Sequence, residues 1–129
     1  MAVAARHPDA VVLAADTVVI VDGRIFGKPA DRADAARMLE ALAGREHDVV
    51  TAVAVARNGA IREHVESTRV RFAPMAPDEV AWYVDSGEAD DKAGAYGIQG
   101  LASRFVEGIN GSYTNVVGLP VAAVYRMLK

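Results

Sequence analysis

The stretch "VVLAADTVVIVDGRIFGKP", Val11 to Pro29, decides the fold and raises the question of function. Val11 to Val21 is a run of strand-forming residues, and Asp22-Gly23 predicts a tight hairpin turn into "RIFG". The run predicts a buried β-strand, yet Asp16 lies in its middle with Thr17 beside it. Because an isolated carboxylate is costly in a dry interior, Asp16 should be paired, bound to a metal or placed in a wet cleft.

The rest of the sequence predicts further strands and helices around this strand. In chain order they are a helix with Asp31 as N-cap that Gly44 ends, the strands His47–Arg57 and Ala60–Phe72 joined by Asn58-Gly59, a helix opened by Pro77 and a closing helix that begins at Pro120. The closing helix is expected to pack through Val124, Tyr125 and Leu128. Because strands and helices do not alternate strictly, the prediction is a single α/β domain, 1–129, with a mixed, largely antiparallel sheet flanked by helices.

Composition excludes several classes of protein. The chain has 129 residues, 52% hydrophobic and 24% charged, with a net charge of −3 and no cysteine. Disulfides, thiolate zinc sites and cysteine nucleophiles are therefore excluded. Without a Lys/Arg block, a bilayer-long apolar run or a signal-peptide pattern, we expect neither a nucleic-acid partner nor a membrane partner, and a cytoplasmic location.

Asp16 admits two interpretations from the residues alone. It can be structural, pairing with a buried arginine or capping a helix, or functional, as a general base or a metal ligand held by a rigid strand. The "GKP" stretch, Gly27 to Pro29, adds a cation, Lys28, twelve residues after Asp16 across a hairpin. A lone lysine is usually solvated, so Lys28 alone does not decide between the two.

The segment "DKAGAYGIQG", Asp91 to Gly100, is the second candidate. Its glycines permit close backbone approach, Tyr96 offers a stacking face, and Gln99 offers a donor and an acceptor. That combination suits recognition of the edge of a nucleobase or of another planar amide. The alternative is a tight connection between elements, and neither a P-loop nor a GxGxxG fingerprint is present.

Three motifs together resemble the Maf family of nucleoside triphosphate pyrophosphatases. They are "AADTVV" (Ala14 to Val19), "GKPADRADAARMLEALAGREHDVVTAV" (Gly27 to Val53), and "DKAGAYGIQG" followed by "FVEGINGSYTNVVGLP" (Phe105 to Pro120). The last motif is similar to the branch that acts on dTTP and UTP. The resemblance implies cleavage between the α and β phosphates by water with a divalent cation, Mg²⁺ or Mn²⁺, and commonly a homodimer.

The resemblance also implies residue roles. Asp16 matches the family's catalytic proton acceptor and is a candidate metal ligand, and Lys28 would offset phosphate charge. Thr17 and Gln99 match positions associated with nucleobase preference. Because neighbouring strand residues point to opposite faces, a site that uses both Asp16 and Thr17 predicts a local irregularity in the strand.

One part of the family pattern is missing from the sequence. Family members begin with a strand and a Ser-x-Arg-Arg loop that grips the triphosphate, whereas this sequence starts near a later helix, close to "VAARHPDA" (Val3 to Ala10). The expectation is a chain truncated at its N-terminus, through a late start codon, a fragment or a shortened protein. The last case predicts a catalytically weak or inactive nucleotide-binding remnant.

Overall fold

The computed structural model describes residues 11–129, so the segment Val3 to Ala10 lies outside the described residues. Among these described residues, five strands form one sheet in the order β2-β1-β3-β4-β5, and every recorded strand pair is antiparallel. The strands are β1 (Val11–Val21), β2 (Arg24–Phe26), β3 (Glu46–Arg57), β4 (Ala60–Phe72) and β5 (Val106–Asn110). The predicted α/β class with a largely antiparallel sheet is confirmed.

Two tight hairpins set the register of the sheet. Asp22 and Gly23 join β1 to β2 with φ angles of 48° and 76°, and Asn58 and Gly59 join β3 to β4 with 51° and 78°. Two successive positive φ angles match the right-handed twist of the flanking strands, which is why these dipeptides turn hairpins. Both predicted turns are confirmed.

Within the described part of the chain, four helices accompany the sheet. They are α1 (Arg32–Leu42), α2 (Pro77–Asp85), α3 (Tyr113–Val117) and α4 (Val121–Leu128), with 3₁₀ turns at Ala93–Ala95 and Leu101–Phe105. The Asp31 carboxylate accepts from the backbone N–H of Asp34 at 2.7 Å, so the predicted N-cap of α1 is confirmed. Within residues 11–129, no helix is both long and apolar enough to cross a lipid bilayer.

The core lies on one face of the sheet. Val19 and Val21 of β1 are 1% exposed and pack with Val49, Val70 and the buried side of α1. Farther along the same face, Val53 and Val55 pack against Val124 of α4. The alternation of strand side chains places Asp16 and Ala52 on the opposite face, where both are exposed.

Three predictions about these elements are wrong. β1 is not buried throughout. Its first half, Val11 to Asp16, is exposed to solvent apart from Val12, which is half-buried. The irregularity expected at Asp16 and Thr17 is absent, since β1 pairs with β3 in one unbroken register from Val11 to Ile20. Tyr125 and Leu128, which were expected to pack, are 62% and 37% exposed, whereas Val124 is buried as predicted, together with Ala123.

Candidate active site

A cavity of about 510 Å³ opens on the helix-bearing side of β1. Its walls come from β1, from the loop after β2, from the turn after α2, from the segment Asp91 to Gly100 and from the end of α3. The polar residues lining it include Asp16, Thr17, Lys28, Glu88, Lys92 and Gln99. The structure thus brings together all four site residues expected from the sequence.

Asp16 lines two cavities, one on each face of the sheet. It lines the main cavity and also a shallower one of about 320 Å³ bordered by Ala52 and Val65 on the opposite face. Among the described residues β2 pairs only with Val19 to Val21, so the outer edge of β1 beside Asp16 has no neighbouring strand. Asp16 takes part in none of the ion pairs recorded within residues 11–129. Its exposed carboxylate therefore needs no buried partner, and the structural interpretation as an arginine pair is not supported.

The side chain of Thr17 is held by a hydrogen bond to a buried residue of the neighbouring strand. Its hydroxyl lies 2.9 Å from the hydroxyl of Thr51, its register partner on β3, which is fully buried. Below this pair, Asn115 of α3 is also fully buried and donates to the carbonyl of Val49 at 3.0 Å and to the Thr68 hydroxyl at 2.9 Å. A buried polar group is stable only when it is hydrogen-bonded, so these contacts fix where α3 sits against the sheet.

Two lysines give the cavity its positive charge. Lys28 follows β2, and Lys92 lies in the glycine-rich segment, where its Nζ is 3.0 Å from an Asp91 carboxylate oxygen. The hydrogen bond and charge of Lys92, with a smaller contribution from Lys28, lower the pKa of Asp91. The two segments are joined directly, because the backbone N–H of Gly94 donates to the carbonyl of Gly27 at 3.1 Å.

The glycine-rich segment packs closely on β1. Gly94 has a φ of +69°, and a Cβ added there would lie 2.6 Å from Cγ2 of Val19, so only glycine fits without displacement. The next residue, Ala95, also has a positive φ of 67° and is fully buried. Farther on, the N–H of Gly100 donates to the carbonyl of Gly97 at 3.3 Å and closes a turn with exposed Gln99 near its tip.

A buried cluster of aromatic rings holds Tyr96 of the glycine-rich segment in place. Nε2 of His47 lies 2.6 Å from the hydroxyl of Tyr96, and both rings contact Phe72 edge-on. His47 is 2% exposed, and burial lowers its pKa to about 4, against a smaller opposing effect of Asp48. His47 is therefore neutral at physiological pH, and burial also raises the pKa of Tyr96 far above its usual range.

The donor set around the cavity fits a metal carried by a substrate better than a metal held by the protein alone. Within residues 11–129 no group of three or more His, Asp or Glu side chains could hold an ion. Mg²⁺ commonly binds through one or two carboxylates with substrate phosphates completing its shell. The exposed carboxylate of Asp16 is consistent with that mode.

Sequence reasoning missed three residues of this site. Glu88 and Lys92 line the cavity, and His47 supports it, but none stands in a pattern that separates it from an ordinary surface charge or a scattered histidine. Lys92 lies inside the segment Asp91 to Gly100, which the sequence predicts as part of the site. This location is the sequence feature that points to Lys92.

Comparison with known proteins agrees with the three motifs. The family model described as Maf-like protein matches residues 1–129. A protein named dTTP/UTP pyrophosphatase from Symbiobacterium thermophilum is 53% identical over 127 residues, which cover 98% of this chain and 66% of the relative. Its namesake from Bordetella parapertussis is 59% identical over 122 residues, covering 95% of this chain and 59% of the relative.

A third relative, the dTTP/UTP pyrophosphatase of Koribacter versatilis, is 51% identical over 128 residues, covering 99% of this chain and 66% of the relative. The chain therefore spans between 59% and 66% of the length of these three curated relatives. The family match nonetheless extends over every residue of the sequence. This chain belongs to the Maf-like protein family.

Proposed function

We propose that this chain carries the catalytic carboxylate and the base-reading surface of a nucleoside triphosphate pyrophosphatase that hydrolyses dTTP and UTP to the monophosphate and pyrophosphate. One observation carries the proposal: a single cavity collects Asp16, Thr17, Lys28 and Gln99 from three separate stretches of sequence. The names of the relatives, dTTP/UTP pyrophosphatase in each case, support the same substrates.

Asp16 acts as the proton acceptor for the attacking water. Its carboxylate stands on a strand held in continuous register with β3, so its backbone position is rigid. Because the side chain is exposed and free of a recorded ion pair, it can accept a proton from water that approaches the α-phosphorus. The bond that breaks joins the α-phosphorus to the oxygen bridging to the β-phosphorus.

Lysine side chains offset the negative charge of the phosphates. Lys28, with Lys92 on the adjoining segment, supplies positive charge to an anion that gains negative charge on the leaving pyrophosphate. A divalent cation, Mg²⁺ or Mn²⁺, would be held by Asp16 together with phosphate oxygens and would stabilise the same developing charge. A Lys28→Gln variant should lose rate on the order of 10²-fold, with Lys129→Gln, outside the cavity, as the matched control.

Gln99 and Thr17 select the nucleobase. The amide of Gln99 offers a donor and an acceptor side by side, which matches O4 and N3–H of uracil and thymine. Cytosine reverses this pattern at the same edge, so it is rejected when the Gln99 amide is held with its NH2 group towards O4 and its oxygen towards N3–H. Thr17 contributes a hydroxyl whose position is set by Thr51.

Pyrophosphate release tests the proposal. UTP and dTTP should be turned over in the presence of Mg²⁺ or Mn²⁺ and not after chelation, and Asp16→Asn should lower kcat by 10²-fold or more, on the order expected for a general base. Asp85→Asn, an exposed carboxylate at the end of α2, is the matched control and should retain activity. Equal turnover of all nucleotides would remove the base-reading role, and nucleotide binding without turnover would favour the inactive binding module.

Two further expectations concern the protein in its setting. A homodimer and a cytoplasmic location stay predictions, as does the absence of nucleic-acid and membrane partners. Analytical ultracentrifugation with and without nucleotide measures the first directly.

A further inference from the structure

The turn that presents Gln99 is held at both ends by two side chains outside it. On one side, the backbone N–H of Gly97 donates to the hydroxyl oxygen of Tyr83 at 3.1 Å. On the other side, the N–H of Leu101 donates to both carboxylate oxygens of Glu88 at 3.0 Å. Gln99 lies between these two anchored amides.

The two anchors are themselves connected. The hydroxyl of Tyr83 donates to Oε1 of Glu88 at 3.3 Å, so a continuous chain of hydrogen bonds runs from Gly97 to Leu101 behind the turn. Tyr83 is fully buried on α2, and burial raises its pKa to about 12, so its hydroxyl keeps its proton and remains a donor. Charge-assisted bonds to a carboxylate are about twice as strong as neutral ones.

Gly100 makes room for this arrangement. A Cβ added at Gly100 would overlap Oε1 of Glu88 and stand 2.6 Å from its Cδ. The φ of Gly100 is −102°, outside the left-handed region, so the glycine is not required by backbone conformation. Its absent side chain is what lets Glu88 reach the N–H of Leu101.

We propose that Tyr83 and Glu88 are positioning residues that hold the Gly97–Gly100 turn so that the side chain of Gln99 approaches the pyrimidine edge from one fixed backbone position. The inference rests on the proposed function and concerns the selectivity of the same cavity. Neither side chain acts on the phosphates: Tyr83 is buried under the turn, and both carboxylate oxygens of Glu88 accept from the Leu101 amide. Their loss should therefore affect base discrimination more than the chemical step.

The experiment compares Tyr83→Phe, Glu88→Gln and Gly100→Ala with two matched controls. Tyr125→Phe removes a hydroxyl from an exposed tyrosine of α4, and Glu40→Gln neutralises an exposed carboxylate of α1. Binding of α,β-imido analogues of UTP and CTP is measured by calorimetry, and amide exchange at Gly97 and Leu101 by NMR. Binding is used so that the test does not depend on turnover.

The expected result is a selective one. Each of the three variants should reduce the preference for the uridine over the cytidine analogue by about fivefold or more, the ratio that one lost hydrogen bond supplies. Exchange should accelerate about tenfold at Gly97 in Tyr83→Phe and at Leu101 in Glu88→Gln and Gly100→Ala. The controls should keep the wild-type ratio and exchange rates.

Three outcomes separate the possibilities. Variants that lower the melting temperature but keep both the binding ratio and the local exchange overturn the positioning role. If Tyr83→Phe does not fold, the same judgement rests on Glu88→Gln and Gly100→Ala, which leave the buried ring in place. A wild-type chain without preference for the uridine analogue overturns the proposed base selection itself, and with it this inference.

Discussion

Acidification should destabilise this protein through one residue, His47. Burial lowers its pKa from 6.5 to about 4, so the folded state keeps the imidazole neutral while the unfolded chain protonates it below pH 6.5. The contribution to stability is complete above pH 6.5 and is lost as pH falls towards the folded pKa. With 1.36 kcal/mol for each unit, the full loss is about 3 kcal/mol, of which about 2 kcal/mol falls between pH 7 and pH 5.

Urea unfolding at closely spaced pH values measures this directly. The double variant His47→Phe/Tyr96→Phe replaces the buried pair by apolar rings of similar shape, so neither partner is left unsatisfied. Its free energy of unfolding should fall by about 2 kcal/mol less than that of the wild type between pH 7 and pH 5.

Equal losses of unfolding free energy in the wild type and the double variant over that pH range would refute a buried, neutral His47. Such a result would mean that the imidazole reaches water or gains a proton without unfolding. Carboxylates titrate mainly below this range, so their contribution cancels in the comparison.

Three other substitutions test the packing around the site, each by urea unfolding. Gly94→Ala should cost about 2 kcal/mol, because φ is +69° and the new Cβ would meet Val19; an unchanged midpoint would show that the segment can move away from β1. Asn115→Ala should cost about 3 kcal/mol by removing its hydrogen bonds to the carbonyls of Val49 and Glu66 and to the Thr68 hydroxyl, and a loss below about 1 kcal/mol would indicate that water replaces the amide. Arg69→Gln, which breaks ion pairs at a side chain 58% exposed, should change stability by less than about 0.5 kcal/mol, and a larger loss would mean that the surface charges act as a network.

The parts of the fold that the sequence predicted are those encoded by neighbouring residues. The Asp22-Gly23 and Asn58-Gly59 turns, the N-cap Asp31 and the proline at the start of α2 each act over a few residues, so their structures could be inferred locally. Burial could not be inferred in the same way. β1 reads as a buried run, but exposure of its first half depends on what other elements pack there.

The site was predicted only in part, because some of its contacts join segments that are distant in the sequence. Asp16, Thr17, Lys28 and Gln99 were grouped through the family's motifs, and the cavity brings them together. The elements β5 and α3 were missed because they lie in glycine-rich sequence with short apolar pieces. The contacts of Tyr83, Glu88 and His47 were missed because each joins segments that only the tertiary structure makes adjacent.

In the Gly97–Gly100 turn, the residues that fix the backbone are different from the residue at the tip. The contacts that fix its backbone come from side chains elsewhere, whereas the side chain of Gln99 makes none of the hydrogen bonds recorded within residues 11–129. Residue 99 can therefore be exchanged without rebuilding the scaffold beneath it. Under the proposed function, a new nucleotide preference is then accessible through a single codon, which makes this position the natural starting point for redesigning the pocket.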